Sequence, residues 1–452
     1  MTIDNSFYSI WRNRFLSIQI RKQVLENLDI KVDLQDLNAN KQYLATLRNE
    51  KISLKLHIKS KEHFIEYLDH SEGYLVSNLE IDPKVEICRL PKLRQKQQPK
   101  LIGFDCRLIP NTVTKLKFWI EEAIMGYGKL PDSITELEIR SSWRTYSSKF
   151  FDHVLANLPQ QLVSLTLTSN CDIRNQVVLP NSLCELKYSS TYDNLRKLVV
   201  PPSVKRGMVP PKLSSLFVDK FNEKLERDVL PDTLKYLRIR SFNQQLEPGV
   251  LPINLKTLTL DSFNKKLEPD ILPPSLKALY LNSYTRPLDP YVLPQSLTKL
   301  GLNNFNHPLQ ASSLPASLTN LTMDSFCQSL ESVGSLPNLH NVFIAQIDQY
   351  ISNLLVNVKD VSLKFQKMTT TSTQPVSLSN TSIEKLVINS VSQTITIDCG
   401  FLPRTLTDLS MTGLAIASSS VIPEGCLFLK TDIVDLKPEF LPKSIITNKL
   451  IK

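Results

Sequence analysis

The sequence predicts a repeat solenoid, a stack of parallel β coils of about 21–22 residues each, and three observations predict it. A proline, usually preceded by leucine, recurs at Pro210, Pro231, Pro252, Pro273, Pro294 and Pro315, each 21 residues after the last. Apolar residues follow each proline three, six and eight positions later, as in Leu234, Leu237 and Ile239 or Leu276, Leu279 and Leu281. Eleven and twelve positions after the proline comes a Phe-Asn pair, at Phe221-Asn222, Phe242-Asn243, Phe263-Asn264 and Phe305-Asn306. Units of this length cannot bury their own apolar face, so a core forms only when neighbours stack. Composition agrees: 42% hydrophobic content in 452 residues supports a large core, while 28 Pro against 11 Gly excludes collagen and argues against glycine-built phosphate loops.

In chain order, residues 7–28 place Phe7, Trp11, Phe15, Ile18 and Leu25 on one stripe of an amphipathic helix, with Arg12, Arg14, Arg21 and Lys22 around it. Such a helix suits the end of a solenoid, where the first coil needs a cover. Residues 52–58 alternate apolar and polar and predict a strand. Residues 1–70 are therefore expected to form a helical and strand-containing cap. A degenerate first repeat (Val76, Leu79, Ile81) and a basic linker fill 71–104; within 89–100 there are five Lys/Arg and no acid. The array proper is expected over 105–412. It takes in further proline-led copies at Pro110, Pro131, Pro159 and Pro180, a copy compressed by one residue at Pro337, and another at Pro403. Proline-free copies fall at Val358, Val361, Leu363 and at Ile383, Leu386, Ile388, making about fourteen units. Residues 413–452 are expected to be a degenerate last repeat or a cap.

Within a unit the spacing has a mechanical meaning. Positions six and eight share one face of an extended segment, because side chains alternate across a strand. The proline precedes that strand, where its missing N–H is tolerated. The small polar residue before the first leucine (Thr233, Ser275, Ser296, Ser317) suits the turn into it. The Phe ring is expected to fill the wide convex side of each coil, and the Asn amide to bond free backbone groups along the stack.

The combined pattern, Leu-Pro-x-Ser/Thr-Leu-x-x-Leu-x-Leu followed by Phe-Asn-x-Pro-Leu, resembles the FNIP repeat, a leucine-rich-repeat-like unit. Phe305-Asn306-His307-Pro308-Leu309 carries the full second half, whereas Phe242-Asn243-Gln244-Gln245-Leu246 lacks the proline and Tyr284-Thr285-Arg286-Pro287-Leu288 changes both leading residues. The likeness is strongest over about 205–330. It implies a leucine-rich-repeat-like solenoid and supplies no catalytic residues. Some members of the family carry an F-box ahead of the repeats, and the leucine-rich stretch 25–37 is compatible with one. The opening Leu-Pro and the later Cys/Lys/Trp-type segment of that motif are not visible. A ubiquitin-ligase substrate adaptor, binding a Skp-type partner, is the alternative function.

Enzymatic motifs are not found: no G-x-x-x-x-G-K-[ST], G-x-G-x-x-G or G-x-S-x-G occurs. The six histidines are scattered without HExxH or a Cys/His cluster, so neither metal nor cofactor is expected. Carboxylates at repeat-equivalent positions, such as Asp261 and Asp324, read as solvated strand ends. The expected function is a noncatalytic protein–protein interaction scaffold.

If leucines fix the structure, recognition falls to the positions between them, five, seven and nine after each proline. These give partner-binding candidates Phe217, Tyr236, Arg238, Arg240, Thr257, Thr259 and Tyr280, with Tyr and Arg the types enriched at interface hot spots. Phe217, Tyr236 and Tyr280 are expected to be exposed. A weak nucleic-acid or anionic-surface binder is a second alternative, since the net charge is +9, but the basic run has no aromatic platform interleaved. The N-terminus has no secretory pattern, no apolar stretch spans a bilayer, and the seven cysteines are odd in number without a CxxC pair. A cytoplasmic protein with reduced thiols is expected, and a nuclear setting is compatible.

Overall fold

Where apolar residues alternate with polar ones after each proline, a computed structural model of the chain places a short strand. The structure describes residues 29–49, 52–82, 103–120, 125–141, 149–168, 177–189, 210–369, 375–392, 394–434 and 436–451. The helix expected over 7–28, the basic run 89–100 and most of the Thr/Ser tract near 370 lie outside the described residues. Two units are distinguished, residues 1–220 and 221–452.

In the first unit the order is β1 (Asp29–Val32), α1 (Leu34–Ala39), α2 (Lys41–Asn49), β2 (Ser53–Ile58), α3 (Lys61–Asp69), β3 (Asn78–Ile81), β4 (Gly103–Asp105), β5 (Lys115–Ile120), β6 (Met125–Tyr127), β7 (Glu136–Ser141), α4 (Lys149–Ala156), β8 (Ser164–Thr168), β9 (Glu185–Ser189) and β10 (Ser215–Val218). Strands β1, β2, β3, β5, β7, β8, β9 and β10 pair in that order, all parallel. Register keeps one leucine column in line, Leu56 on Leu79 on Leu116 on Leu137 on Leu165 on Leu186 on Leu216. Among the described residues, α1, α2 and α3 are returns between the ladder strands β1, β2 and β3. Asp33 starts α1 with a reciprocal cap, its carboxylate accepting the Asp36 N–H at 2.7 Å while the Asp36 carboxylate accepts the Asp33 N–H at 3.0 Å. Helix α4 occupies the long connection between β7 and β8, and Phe150 packs edge-on against Phe118 and Phe104, with centroids 5.1 and 5.9 Å away.

The second unit contains β11 (Tyr236–Ile239), β12 (Thr257–Thr259), β13 (Ala278–Tyr280), β14 (Lys299–Gly301), β15 (Asn320–Met323), β16 (Asn341–Ile344), β17 (Gln346–Ile347), α5 (Ile351–Leu354), β18 (Asp360–Phe365), β19 (Lys367–Met368), β20 (Lys385–Ser390), β21 (Ile395–Ile397), β22 (Asp408–Thr412), β23 (Leu414–Ile416), β24 (Phe428–Thr431) and β25 (Thr447–Leu450). Its main ladder runs β11 to β16, then β18, β20, β22, β24 and β25, again all parallel. The last two strands follow Pro423 and Pro442 in the same phase, so 413–452 contributes two more coils; Cys426, Leu429 and Thr431 are buried, whereas their equivalents in the last coil, Ile445, Asn448 and Leu450, are half-buried or exposed.

The proline-led coils of β11 to β15 are built alike. The proline carbonyl accepts the N–H of the first leucine, as from Leu234 to Pro231 at 3.0 Å and from Leu255 to Pro252 at 3.0 Å, a tight turn into the strand. The small hydroxyl before that leucine reaches across coils instead of serving its own turn. Ser275 donates to the Leu255 carbonyl at 2.7 Å, and Ser296 and Ser317 donate to Leu276 and Leu297 at 2.6 Å each.

On the return, Phe221, Phe242, Phe263, Tyr284, Phe305 and Phe326 form one buried column. Successive centroids are 6.2–6.4 Å apart and planes within 13° of parallel. Paired strands lie about 4.8 Å apart. Coils therefore spread by roughly 1.5 Å more at the rings than at the strands, which makes the strand side the concave side of this unit. Beside the rings, Asn side chains tie coil to coil. Asn222 Oδ1 accepts the Asn243 N–H at 2.7 Å, Asn243 that of Asn264 at 2.9 Å, Asn264 that of Thr285 at 3.0 Å, and Asn306 that of Cys327 at 2.9 Å.

A further repeat is visible only in the backbone. Asp228, Gly249, Asp270, Tyr291 and Ser312, three residues before successive prolines, all have φ between +63° and +81°. They sit third in turns closed by bonds such as Val250 N–H to Glu247 O at 3.3 Å and Ser313 N–H to Gln310 O at 3.1 Å. A left-handed third residue is the type II arrangement, which favours proline second, and Pro248, Pro269 and Pro290 take that place.

Candidate protein-interaction surface

The strand face is polar because every strand must present alternate residues away from the leucines. In the second unit register makes two outward columns. One runs Tyr236, Thr257, Ala278, Lys299, Asn320, Asn341; the other runs Arg238, Thr259, Tyr280, Gly301, Thr322, Phe343. Six of the seven sequence-derived candidates thus gather on β11, β12 and β13 or, for Arg240, one residue beyond β11. The seventh, Phe217, lies on β10 in the first unit, half-buried, with the Lys187 ammonium 5.5 Å from its ring centroid.

The three aromatics expected to be exposed differ. Tyr236 is 47% exposed, whereas Phe217 and Tyr280 are half-buried. Tyr280 lies against Gly301 in the next coil: a Cβ there would stand 2.7 Å from its Cδ1, so the missing side chain makes room for the ring. Thr257 and Thr259 separate the two tyrosines with small, half-buried hydroxyl side chains.

Asp261 departs from the solvated strand end the sequence suggested. Its carboxylate accepts from Arg238 Nε and Nη2 at 3.1 and 2.9 Å, stands 3.9 Å from Arg240 Nε, and accepts from Asn282 Nδ2 at 2.6 Å. The carboxylate is mostly covered, and it holds Arg238 in a fixed orientation across coils. Asp324 departs too. Its Oδ1 is enclosed without a hydrogen-bond partner, and burial raises its pKa above the usual carboxylate range.

The same positional rule applied to the first unit picks out a second surface that sequence reasoning passed over. Positions five and seven after Pro110, Pro131 and Pro180 are Lys115 and Lys117, Glu136 and Glu138, Glu185 and Lys187. Together with Lys55, Asn78 and Asp29 they line a groove of about 260 Å³. Its charges are matched internally: Lys117 lies 3.6 Å from Glu80 and 3.5 Å from Glu138, Lys115 3.2 Å from Glu136, and Lys187 3.0 Å from Glu185. Burial raises the Glu80 pKa, but the Lys55 hydrogen bond and the charges of Lys117 and Lys55 outweigh it and leave the carboxyl lowered. Trp119 donates to Glu80 at 3.0 Å, with Lys117 and Arg140 over its ring.

Among the described residues no group of three or more His, Cys, Asp or Glu is placed to hold a metal ion, and five cysteines are free. Burial pushes the Cys106 thiol up to about 12 and Cys426 to about 11. No helix of the described residues is long and apolar enough to cross a membrane.

The parallel coils, the single leucine columns and the concave strand face define a leucine-rich-repeat-like β solenoid. Its repeats over residues 221–342 are of the FNIP type: the family model described as FNIP Repeat matches residues 221–262, 242–284, 263–304 and 305–342. Among solved structures it is similar to CroV588, described as a novel circular LRR protein, at 21% identity and a TM-score of 0.51 over 88% of this chain. The chain spans 65% of the length of that protein. No curated protein matches the sequence.

Proposed function

We propose that the protein is a noncatalytic interaction scaffold that binds another protein on the strand face of its second unit. The observation that carries this reading is the contrast between columns. Buried positions repeat from coil to coil, Leu237, Leu258, Leu279, Leu300 and Leu321, while the outward positions beside them change at every coil. A uniform core under a non-uniform face is what selective recognition on a repeat scaffold requires. Arg238, fixed by Asp261, and the neighbouring Tyr236 and Tyr280 supply an oriented cation and two aromatic rings, the residue types that anchor interfaces. Residues 29–82 support a scaffold reading over a separate adaptor domain, since β1, β2 and β3 are ladder strands.

The test replaces Tyr236, Arg238 and Tyr280 together with alanine in the full chain. Co-purification of the native partner from the source cells is expected to be lost while the melting temperature stays within a few degrees. Undiminished co-purification would show that binding uses another face.

A further inference from the structure

We infer that this strand face takes an acidic, extended segment of its protein partner, along a ridge formed by Lys235, Lys256 and Lys277 with Arg238 and Lys299 beside it; the inference rests on the scaffold reading and names the partner's chemistry. The three lysines occupy the position just before the first outward column. Backbone bonds hold them in register, Lys256 N–H to Lys235 O at 2.8 Å and Lys277 N–H to Lys256 O at 2.8 Å. Each therefore stands one coil, about 4.8 Å, from the next. Like charges opposite each other across a sheet oppose folding. The coils that follow place Thr298 and Thr319 at this position, and each hydroxyl donates to the preceding coil's carbonyl at 3.0 Å. A residue that ties the stack together thus gives way, three times running, to one that repels its neighbours.

No ion pair joins Lys235, Lys256, Lys277 or Lys299 among the described residues, whereas Lys55, Lys115, Lys117 and Lys187 on the first unit's strand face are all paired. The two outward columns from β11 to β16 hold Arg238 and Lys299 and no carboxylate. Asp261, one of the acids just beyond them, is engaged by Arg238. Yet residues 221–452 contain 21 Lys/Arg against 20 Asp/Glu, with Glu226, Glu247, Glu268 and Asp289 on the returns. The strand face of β11 to β14 is thus basic while the unit's total charge is nearly balanced. Nucleic-acid binders carry a net basic domain, so this balance favours a short acidic protein segment. Spacing fits a partner segment in the extended polyproline II conformation along the stack: three residues make one turn of about 9.3 Å and return the side chain to the same side, while two coils span about 9.6 Å, so carboxylates three apart meet Lys235 and Lys277 together.

The probe is a fluorescent twelve-residue peptide with Glu at every third position in a Ser/Thr background, titrated by anisotropy against the full chain at low salt. Binding is expected to weaken steeply as salt rises. It should fall at least ten-fold in the variant K235T/K256T/K277T, whose threonines are those the next coils already use, with the melting temperature unchanged or raised. Equal binding to the variant, or no binding to either, overturns the inference. So does a single-stranded oligonucleotide that binds more tightly than the peptide and is lost in the same variant. If partner capture survives the threonine variant but not the Tyr236, Arg238 and Tyr280 alanine variant, the acidic-segment inference falls and the scaffold reading stands. If capture survives both, both fall.

Discussion

At the scale of single residues, the repeated asparagine acts as a brace. Asn264 accepts the Thr285 N–H and donates its own N–H to Asn243 Oδ1, so it has bonds to coils on both sides. Asn264→Ala is expected to cost about 1 kcal/mol, read from the urea midpoint, because one net hydrogen bond is lost at a partly hydrated site. Asn264→Asp, which keeps the acceptor, should lose less. That role was legible in the sequence from the fixed Phe-Asn spacing. The state of Asp324 was not, since its position matches that of Asp261 and only the local packing separates them. With its pKa raised by desolvation, ionised Asp324 opposes folding. The cost is present above the folded pKa and fades as pH falls through it. Asp324→Asn should therefore raise the melting temperature near neutral pH, with the difference shrinking in acid.

At the scale of the element, the decisive turn is the one that places a left-handed residue three positions before each proline from Pro231 to Pro315. Its proline column, at Pro248, Pro269 and Pro290, is plain in the sequence, but the left-handed position is filled by Asp, Gly, Asp, Tyr and Ser in turn. No residue type marks it, because stacking on both sides holds the turn whatever the side chain. A non-glycine residue there costs roughly 1–2 kcal/mol. Tyr291→Gly should consequently stabilise the chain by a few tenths to about 1 kcal/mol, the gain being reduced by the greater freedom of unfolded glycine. Gly400 and Gly413 offer an internal comparison, with φ of +81° and +64°. An added Cβ meets nothing within 4 Å at Gly400 but stands 2.3 Å from the Ser390 carbonyl oxygen at Gly413. Thermal denaturation should show Gly413→Ala to be clearly more damaging than Gly400→Ala.

At the scale of the molecule, periodicity made the parallel coils legible from Pro110 onward. It missed β1, and alternation marked β2 as a strand without placing it in the ladder; their spacing is 24 residues and their returns are helices, so neither proline nor Phe-Asn marks them. It also passed over the matched charges of the first unit's strand face, though the same positional rule reaches them. The repeat predicts that one coil is dispensable. Deleting residues 253–273 removes 21 residues and joins Pro252 to Pro274 in phase, so cooperative unfolding and the circular dichroism spectrum should survive. Deleting 253–263 alone breaks the phase and should abolish the cooperative transition.

The central claim, that a partner protein lies along the strand face of the second unit, is tested most directly by amine-to-carboxylate crosslinking of the captured complex with mass-spectrometric mapping. Lys224, Lys265 and Lys266 lie on the returns, Lys224 beside Glu247 and Lys266 beside Asp289. Intermolecular crosslinks are predicted at Lys235, Lys256, Lys277 and Lys299, joined to acidic residues of one partner segment. Crosslinks confined to Lys224, Lys265 and Lys266 would contradict it.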